Sequence, residues 1–337
     1  MPISLKPTLL LFGLFLLNIS SLHGQQFGWD AIFGGPEDEQ CEAIFESPDG
    51  RILLFGNMRS YNHQVEKKHN GQDIVMVIVD TAGAFITSHT FGGSYDDGFL
   101  AYEPFGEHLK IYGWTKSDYG DVNCNETEND VPRGPGVAWN FVIDYDGNIL
   151  SQDCQSEMLP MEDHSNLKEQ LKKRYIPSHR QYMDKVHKLL PTQEKEYLAL
   201  FHINKGRESN FEVALFNEQL DTLWWRTFGG SYHDQAMDVI ELDSTFLIVG
   251  NTSSNDGDLK HPKSNQYHQK HWIIKIDRQG NLLWEGTLSR GGEEEVKGVQ
   301  AARSGGYYIY GAYSDSNTAK RRYPDKSNYY WIMKVND

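Results

Sequence analysis

Cysteine is almost missing from this chain: Cys41, Cys124 and Cys154 are the only three in 337 residues. No disulfide framework can carry a fold of this length on so few thiols. Cys124 and Cys154 flank one segment and can pair in an oxidising compartment, which leaves Cys41 as a small core residue. Positive charge is also short. Lys and Arg number 32 against 47 Asp and Glu, a formal charge of −15, the wrong sign in bulk for a nucleic-acid partner. Long apolar runs are lacking, apart from Leu9–Leu17 broken by Gly13, which is too short to cross a hydrocarbon core of ~30 Å. That run follows Lys6 and precedes a small, polar stretch ending at Gly24, the layout of a secretory signal peptide. The expectation is a leader over 1–24 and a single domain over 25–337. The product is expected to be secreted (periplasmic, cell-surface or extracellular), without a membrane span and monomeric. No nucleophile elbow, Walker loop, dinucleotide fingerprint or zinc spacing is present.

What the chain has is a repeat. A strand, an Asp-x-x-Gly turn and a second strand recur, as in Asp73–Asp80, Gly83 and Ala84–Ile86. The anchors are Asp80, Asp144, Asn217, Asp277 and Asn336, at steps of 64, 73, 60 and 59 residues. The left-handed last position of such a turn favours glycine, and the Asp side chain can bond the backbone ahead of it. Before each anchor comes a second module: a Gly-Gly pair (Gly34, Gly92, Gly229 and Gly291 are the first members), carboxylates, an extended segment, a turn, and a short apolar strand. Thr or Ser follows, as in Thr115-Lys116-Ser117 and Thr252-Ser253-Ser254. Four short strands per unit, repeated five times, predict an all-β, five-bladed β-propeller of four-stranded blades.

The two ends are complementary. The last unit stops after its third strand at Val335, while Trp29–Gly35 matches the fourth-strand motif Trp224–Gly230. Residues 27–33 are therefore expected to complete the last blade and close the ring, which removes open strand edges. The third unit has lost its Gly-Gly pair and turn glycine and carries an insertion near 157–181. Within it, Asn166–Arg174 reads as a short basic helix on a solvated surface excursion, with a lid or docking element as the alternative.

Trp-x4-Gly-Gly, the carboxylates, Gly-x-Thr-x-Ser and Asp-x-x-Gly-Asn together resemble the propeller-type repeats of secreted bacterial surface proteins. Ser253–Leu259 is similar to their Ser-Asn-Asp-Gly-Asp-Val stretch, with Lys116–Val122 a looser copy. The resemblance covers nearly all of 27–337 and implies the fold; it does not imply a ligand.

In a propeller the first strand of each blade lines the central channel, so carboxylates near its start converge on one mouth. They are Asp38, Glu39, Asp96, Asp97, Asp184, Asp234 and Glu295. Three readings stay open. The carboxylates cap turns and strand ends; they hold a hard cation such as calcium; or two of them form an acid–base pair for glycoside hydrolysis. The Asn255–Asp258 loop reads as a solvated turn, and calcium is the one cofactor considered. Trp114, Tyr95 and Tyr232 sit beside turns and are the candidates for stacking on a sugar. His261, His268 and His271 read as one polar loop. The functional expectation is a binding or scaffold module without catalytic residues, whose partner is a glycan or a surface protein. The alternative is a glycosidase-like five-bladed enzyme using channel-mouth carboxylates.

Overall fold

The computed structural model describes residues 27–34, 39–59, 65, 69, 71–123, 136–155, 165–175, 183–203, 209–260, 269–288, 293–314 and 328–336. The leader and the putting of Asp38, His261 and His268 into any site lie outside these residues. Apolar runs of β-branched and aromatic residues, cut by Asp-x-x-Gly and Ser-Pro-Asp-Gly turns, give twenty strands and one helix. The first sheet holds β2 (Glu39–Glu46), β3 (Ile52–Met58), β4 (Asp73–Val79) and β5 (Phe85–Phe91). The second holds β6 (Asp97–Phe105), β7 (His108–Thr115), β8 (Val137–Ile143) and β9 (Ile149–Gln155). The third holds β10 (Met183–Pro191), β11 (Tyr197–Ile203), β12 (Phe211–Phe216) and β13 (Thr222–Phe228). The fourth holds β14 (Asp234–Leu242), β15 (Thr245–Thr252), β16 (Lys270–Asp277) and β17 (Leu282–Leu288). In the fifth, β18 (Glu293–Ala301), β19 (Tyr307–Ser314) and β20 (Asn328–Val335) are joined by β1 (Phe27–Phe33). These five antiparallel four-stranded sheets are the blades of an all-β propeller. β1 runs antiparallel to β20, from Phe27 opposite Val335 to Phe33 opposite Tyr330.

The repeat anchors work as their chemistry requires. The Asp80 carboxylate accepts from the amides of Ala82 and Ala84, both at 2.8 Å. Asp144, Asn217 and Asp277 do the same two and four residues ahead. In the third unit Leu220 takes the left-handed position at φ 61° that glycine holds elsewhere, a strain of about 1–2 kcal/mol. The repeated Trp is a latch between blades. Trp29 of β1 donates its indole N–H to the Thr81 carbonyl of the first sheet at 2.8 Å, and Trp224 of β13 donates to Arg278 of the fourth at 2.6 Å. The turn glycine beneath each ring is obligatory: a Cβ on Gly83 would stand 2.4 Å from the Trp29 ring.

First strands of neighbouring sheets touch in the run β10–β14–β18–β2–β6, and the fourth strands take no part in these contacts, so the first strands surround the axis. Four junctions are filled by shared apolar cores, between the first and second, third and fourth, fourth and fifth, and fifth and first sheets. The remaining face of the third sheet is covered differently. Helix α1 (Ser165–Tyr175) lays Leu167, Leu171 and Tyr175 onto Val186, Phe201 and Phe216. Leu171 is fully buried and the Tyr175 hydroxyl donates to the Leu220 carbonyl at 2.6 Å. The solvated excursion expected here is thus corrected: residues i, i+4 and i+8 form an apolar stripe that the basic composition obscures. His271 is corrected too. It lies buried in β16, edge-on to Trp331 at 4.4 Å between ring centroids, and not in a polar loop. Cys41 is free and buried, while Cys154 is disulfide-bonded. No helix among the described residues is long and apolar enough to cross a membrane.

Candidate functional site

Two of the carboxylates at the start of the first strands, Asp97 and Asp234, are spent on structure. Asp97 opens β6 and is fully buried. It accepts from the Gly93 amide at 2.8 Å, from Ser117 Oγ at 2.9 Å and from the Thr115 hydroxyl. Asp234 opens β14 and repeats the set with Gly230 at 2.8 Å, Ser254 at 2.9 Å and Thr252. This explains three motifs at once: Gly-Gly supplies the amide, and Thr-x-Ser supplies both hydroxyls. Burial pushes both carboxyls above the ordinary Asp range, against the hydrogen bonds that favour the ion. Glu39 is equally buried, under Gly34. Asp184 lies in β10, with its side chain outside the described residues, as is the whole of Asp38. Asp96 is a turn residue, accepting from the Gln72 amide at 3.0 Å.

The Asn255–Asp258 loop is likewise internal wiring. Asp256 accepts from the Ser231 amide (2.7 Å) and hydroxyl (2.6 Å), and Asp258 from the Gly229 amide (3.0 Å). Among the described residues no group of three or more His, Cys, Asp or Glu is arranged to hold a metal ion. Tyr95 and Tyr232 occupy matching places beside these pins, 58% and 40% exposed, each with its amide donating to the motif serine. Trp114 is half-buried over Gly98, with the Lys116 ammonium 5.5 Å from its ring centre.

One layer further along the axis the fivefold likeness ends. Every first strand carries a β-bulge at the same place, and the displaced residues are Glu42, Leu100, His187, Met237 and Lys297. Bulges re-aim side chains and cluster at working sites. Glu42 is half-buried, and burial raises its carboxyl above the ordinary Glu range, opposed by Lys297 and reinforced by Glu295. Glu295 is ion-paired to Lys297 at 2.9 Å. Beside them, buried Asp238 pairs with Lys188 at 2.8 Å and accepts from the Val299 amide at 3.1 Å. Half-buried Tyr310 has its phenol pushed well above its usual range, by desolvation first and then by Asp238, Cys41, Tyr102 and Glu42. His187 stacks on His202 at 4.3 Å between ring centroids. One carboxyl raised by burial and others tied to lysines stand in unlike environments, as acid–base chemistry needs.

Of the expected residues that are described, Glu295 belongs to this layer. Glu42, Lys297 and Asp238 were missed because a bulge shifts the face by one residue, which a period-two reading places wrongly; Tyr310 stands on β19, outside the first strands on which candidates were sought. Aligning the five first strands on the pinned carboxylate would have exposed Glu42 and Lys297 as the members that differ.

No protein-family model matches the chain, and no curated protein matches it. Among solved structures, it is similar to a GH43 β-1,3-galactosidase at 10% identity, covering 86% of this chain and 93% of that one, with a TM-score of 0.32. It is similar to a Bombyx mori GH32 β-fructofuranosidase at 10% identity, 92% and 63% coverage, and a TM-score of 0.39. It is similar to a Bacillus subtilis family 43 arabinoxylan arabinofuranohydrolase at 8% identity, 90% and 64% coverage, and a TM-score of 0.36. The chain thus spans just under two thirds of the last two. All three neighbours are glycoside hydrolases and none is a non-enzymatic binding module, against the expectation from sequence. At such scores none of their residues or substrates transfers to this chain.

Proposed function

We propose that this chain is a carbohydrate-acting enzyme that cleaves glycosidic bonds with axial carboxylates. Glu42 is the proton donor and Glu295 the ionised partner. The observation that carries the reading is the break in symmetry: next to a layer of pinned, inaccessible carboxylates stands one half-buried acid against the Lys297–Glu295 ion pair. Glu42 protonates the leaving oxygen, and Glu295 either activates water or attacks the anomeric carbon. Lys297 holds Glu295 in an ion pair, and Glu42 is raised by burial first, with the charge of Glu295 adding to it. Two further elements of the proposal concern the whole molecule. β1 closes the propeller ring through its Trp29 latch, and the protein is a secreted relative of bacterial surface propeller repeats, a reading that the bonded Cys154 supports.

The test is a hydrolysis screen over α- and β-linked oligosaccharides and aryl glycosides. Glu42→Gln should lower turnover of unactivated substrates by about 100-fold or more. It should spare aryl glycosides with good leaving groups, which need little protonation. The alkaline limb of the wild-type rate profile should fall above the ordinary glutamate value of about 4.3. Absence of turnover across the screen, or a Glu42→Gln enzyme as fast as wild type, overturns the reading.

A further inference from the structure

The faces that successive sheets turn toward the next are built on the same register positions. In the first sheet these are Leu53, Phe55, Ile74, Met76 and Ile78, and in the third Leu198, Leu200, Phe211, Val213 and Leu215. In the second sheet they are Lys110, Tyr112, Ala138, Asn140 and Val142. This face points to the third sheet, whose own facing surface is already covered by α1. Ser151 also stands here at the register of the latch tryptophans. Among the described residues, the second sheet therefore turns a partly polar face toward the third, where the other junctions are filled by shared apolar cores.

We propose that this seam is a binding cleft for an anionic glycan, a segment of a uronate-bearing chain. The proposal rests on the reading of the protein as carbohydrate-acting and names the substrate class. Two ring-and-ammonium pairs line the sheet wall: Lys110 Nζ lies 4.7 Å from the Tyr112 ring centre, and Lys116 Nζ 5.5 Å from that of Trp114. A hexuronate carries an apolar C–H face and a carboxylate on one ring, which matches an aromatic face with an adjoining cation. Glu103 and Asp153 are the acids of this wall. Glu103 accepts from the Tyr112 hydroxyl, and both act on Lys110, so the wall is near neutral. The opposing element tips the balance. α1 carries Lys168, Lys172, Lys173 and Arg174 against one acid, Glu169, in a chain of net charge −15. Lys172 and Lys173 are exposed. An anion is drawn to a basic element in a chain of net negative charge. The wall also leads inward: β6 supplies Leu100, 48% exposed, to the axial layer that holds Glu42.

The experiment is calorimetric titration of the whole protein with a hexameric oligogalacturonate, a neutral xylohexaose and a polyglutamate peptide of equal charge, at low and high salt. Oligogalacturonate should bind at least tenfold more tightly than either control and weaken with salt. Lys172→Glu with Lys173→Glu should cost at least tenfold at an unchanged melting temperature. Trp114→Leu should weaken binding without changing its salt dependence. No oligogalacturonate binding, equal binding of either control, or indifference to the charge reversal overturns the proposal. Binding that persists with no turnover of any substrate would sink the axial reading and leave the cleft standing.

Discussion

The junction between the first and second sheets and the one between the second and third are built at the same register and from opposite chemistry. At the first, Phe55 stacks on Phe99 at 5.6 Å, the Asn57 side chain accepts from the Phe99 amide at 2.8 Å, and fourteen residues form one buried cluster. At the second, Lys110 and Asn140 replace apolar residues and α1 covers the far side. Four junctions are thus filled by shared apolar cores, and on the third sheet a helix protects the apolar face as a neighbouring blade does elsewhere. The sharpest way to break this comparison is to damage a dry junction. A chain beginning at Gly34 loses β1, and with it Phe33, the Trp29 latch and a full strand ladder. Burying one such side chain is worth about 1.5–3 kcal/mol, so the loss approaches the whole stability of a typical domain, about 5–15 kcal/mol. That chain should aggregate or melt far below one beginning at Gln26, and coincident melts would mean the ring does not close through β1.

The next largest effect separates the pinned carboxylates from the axial acid. Asp97→Ala strands the Gly93 amide and two hydroxyls in a dry site. Charged hydrogen bonds of this kind are worth about 1.5–3 kcal/mol each, with strong non-additivity, and chemical denaturation should register a loss of about 3–5 kcal/mol. Asp234→Ala should match it. Glu42→Ala should stay within about 1 kcal/mol, since its site is only half-buried. Burial raises both pinned carboxyls above their unfolded value of about 3.9. Their linkage contribution is therefore full below that value and declines as pH rises through the raised folded values. The stability gap between wild type and Asp97→Asn should change in that direction, and a gap that widens instead would mean the ionised form is the favoured one.

α1 supplies the intermediate case. Leu171→Ala leaves a void against Val186, Phe201 and Phe216, and substitutions of this type cost about 2–5 kcal/mol. A loss below about 0.5 kcal/mol would return the helix to the solvated excursion that its composition suggests.

Much of this fold could be read from the chain. The anchors Asp80, Asp144, Asn217 and Asp277 signal turns because their side-chain geometry is local, and Trp29 repeats a motif whose role needs no tertiary knowledge to notice. The pairing of β1 with β20 was legible because the two ends are fragments of one unit. What escaped depends on register between distant strands. The bulges that bring out Glu42 and Lys297 leave no composition signal, and the polarity of Lys110 and Asn140 acquires meaning only when set beside Leu53 and Met76. His271 was misread because its neighbours in sequence are polar, whereas its packing partner Trp331 lies sixty residues on. Asp97 and Asp234 were recognised as recurrent, but recurrence is the mark of a pin and not of a reaction centre.

The smallest expected effect is the most discriminating for the comparison. Met76→Asn and Asn140→Met are the same exchange at matching register, one in a dry junction and one in the seam. Met76 is fully buried in the shared core, so an unpaired amide there should cost about 2–4 kcal/mol. Asn140 is buried but borders exposed Asp153 and half-exposed Tyr112 on the same face. Replacing it adds apolar surface without stranding a partner, and the change should fall within about ±0.5 kcal/mol. Equal and large losses at both positions would mean that the second and third sheets pack as tightly as the first and second. A gain of more than about 1 kcal/mol for Asn140→Met would mean that the face is already excluded from water, and no cleft would then separate the second sheet from α1.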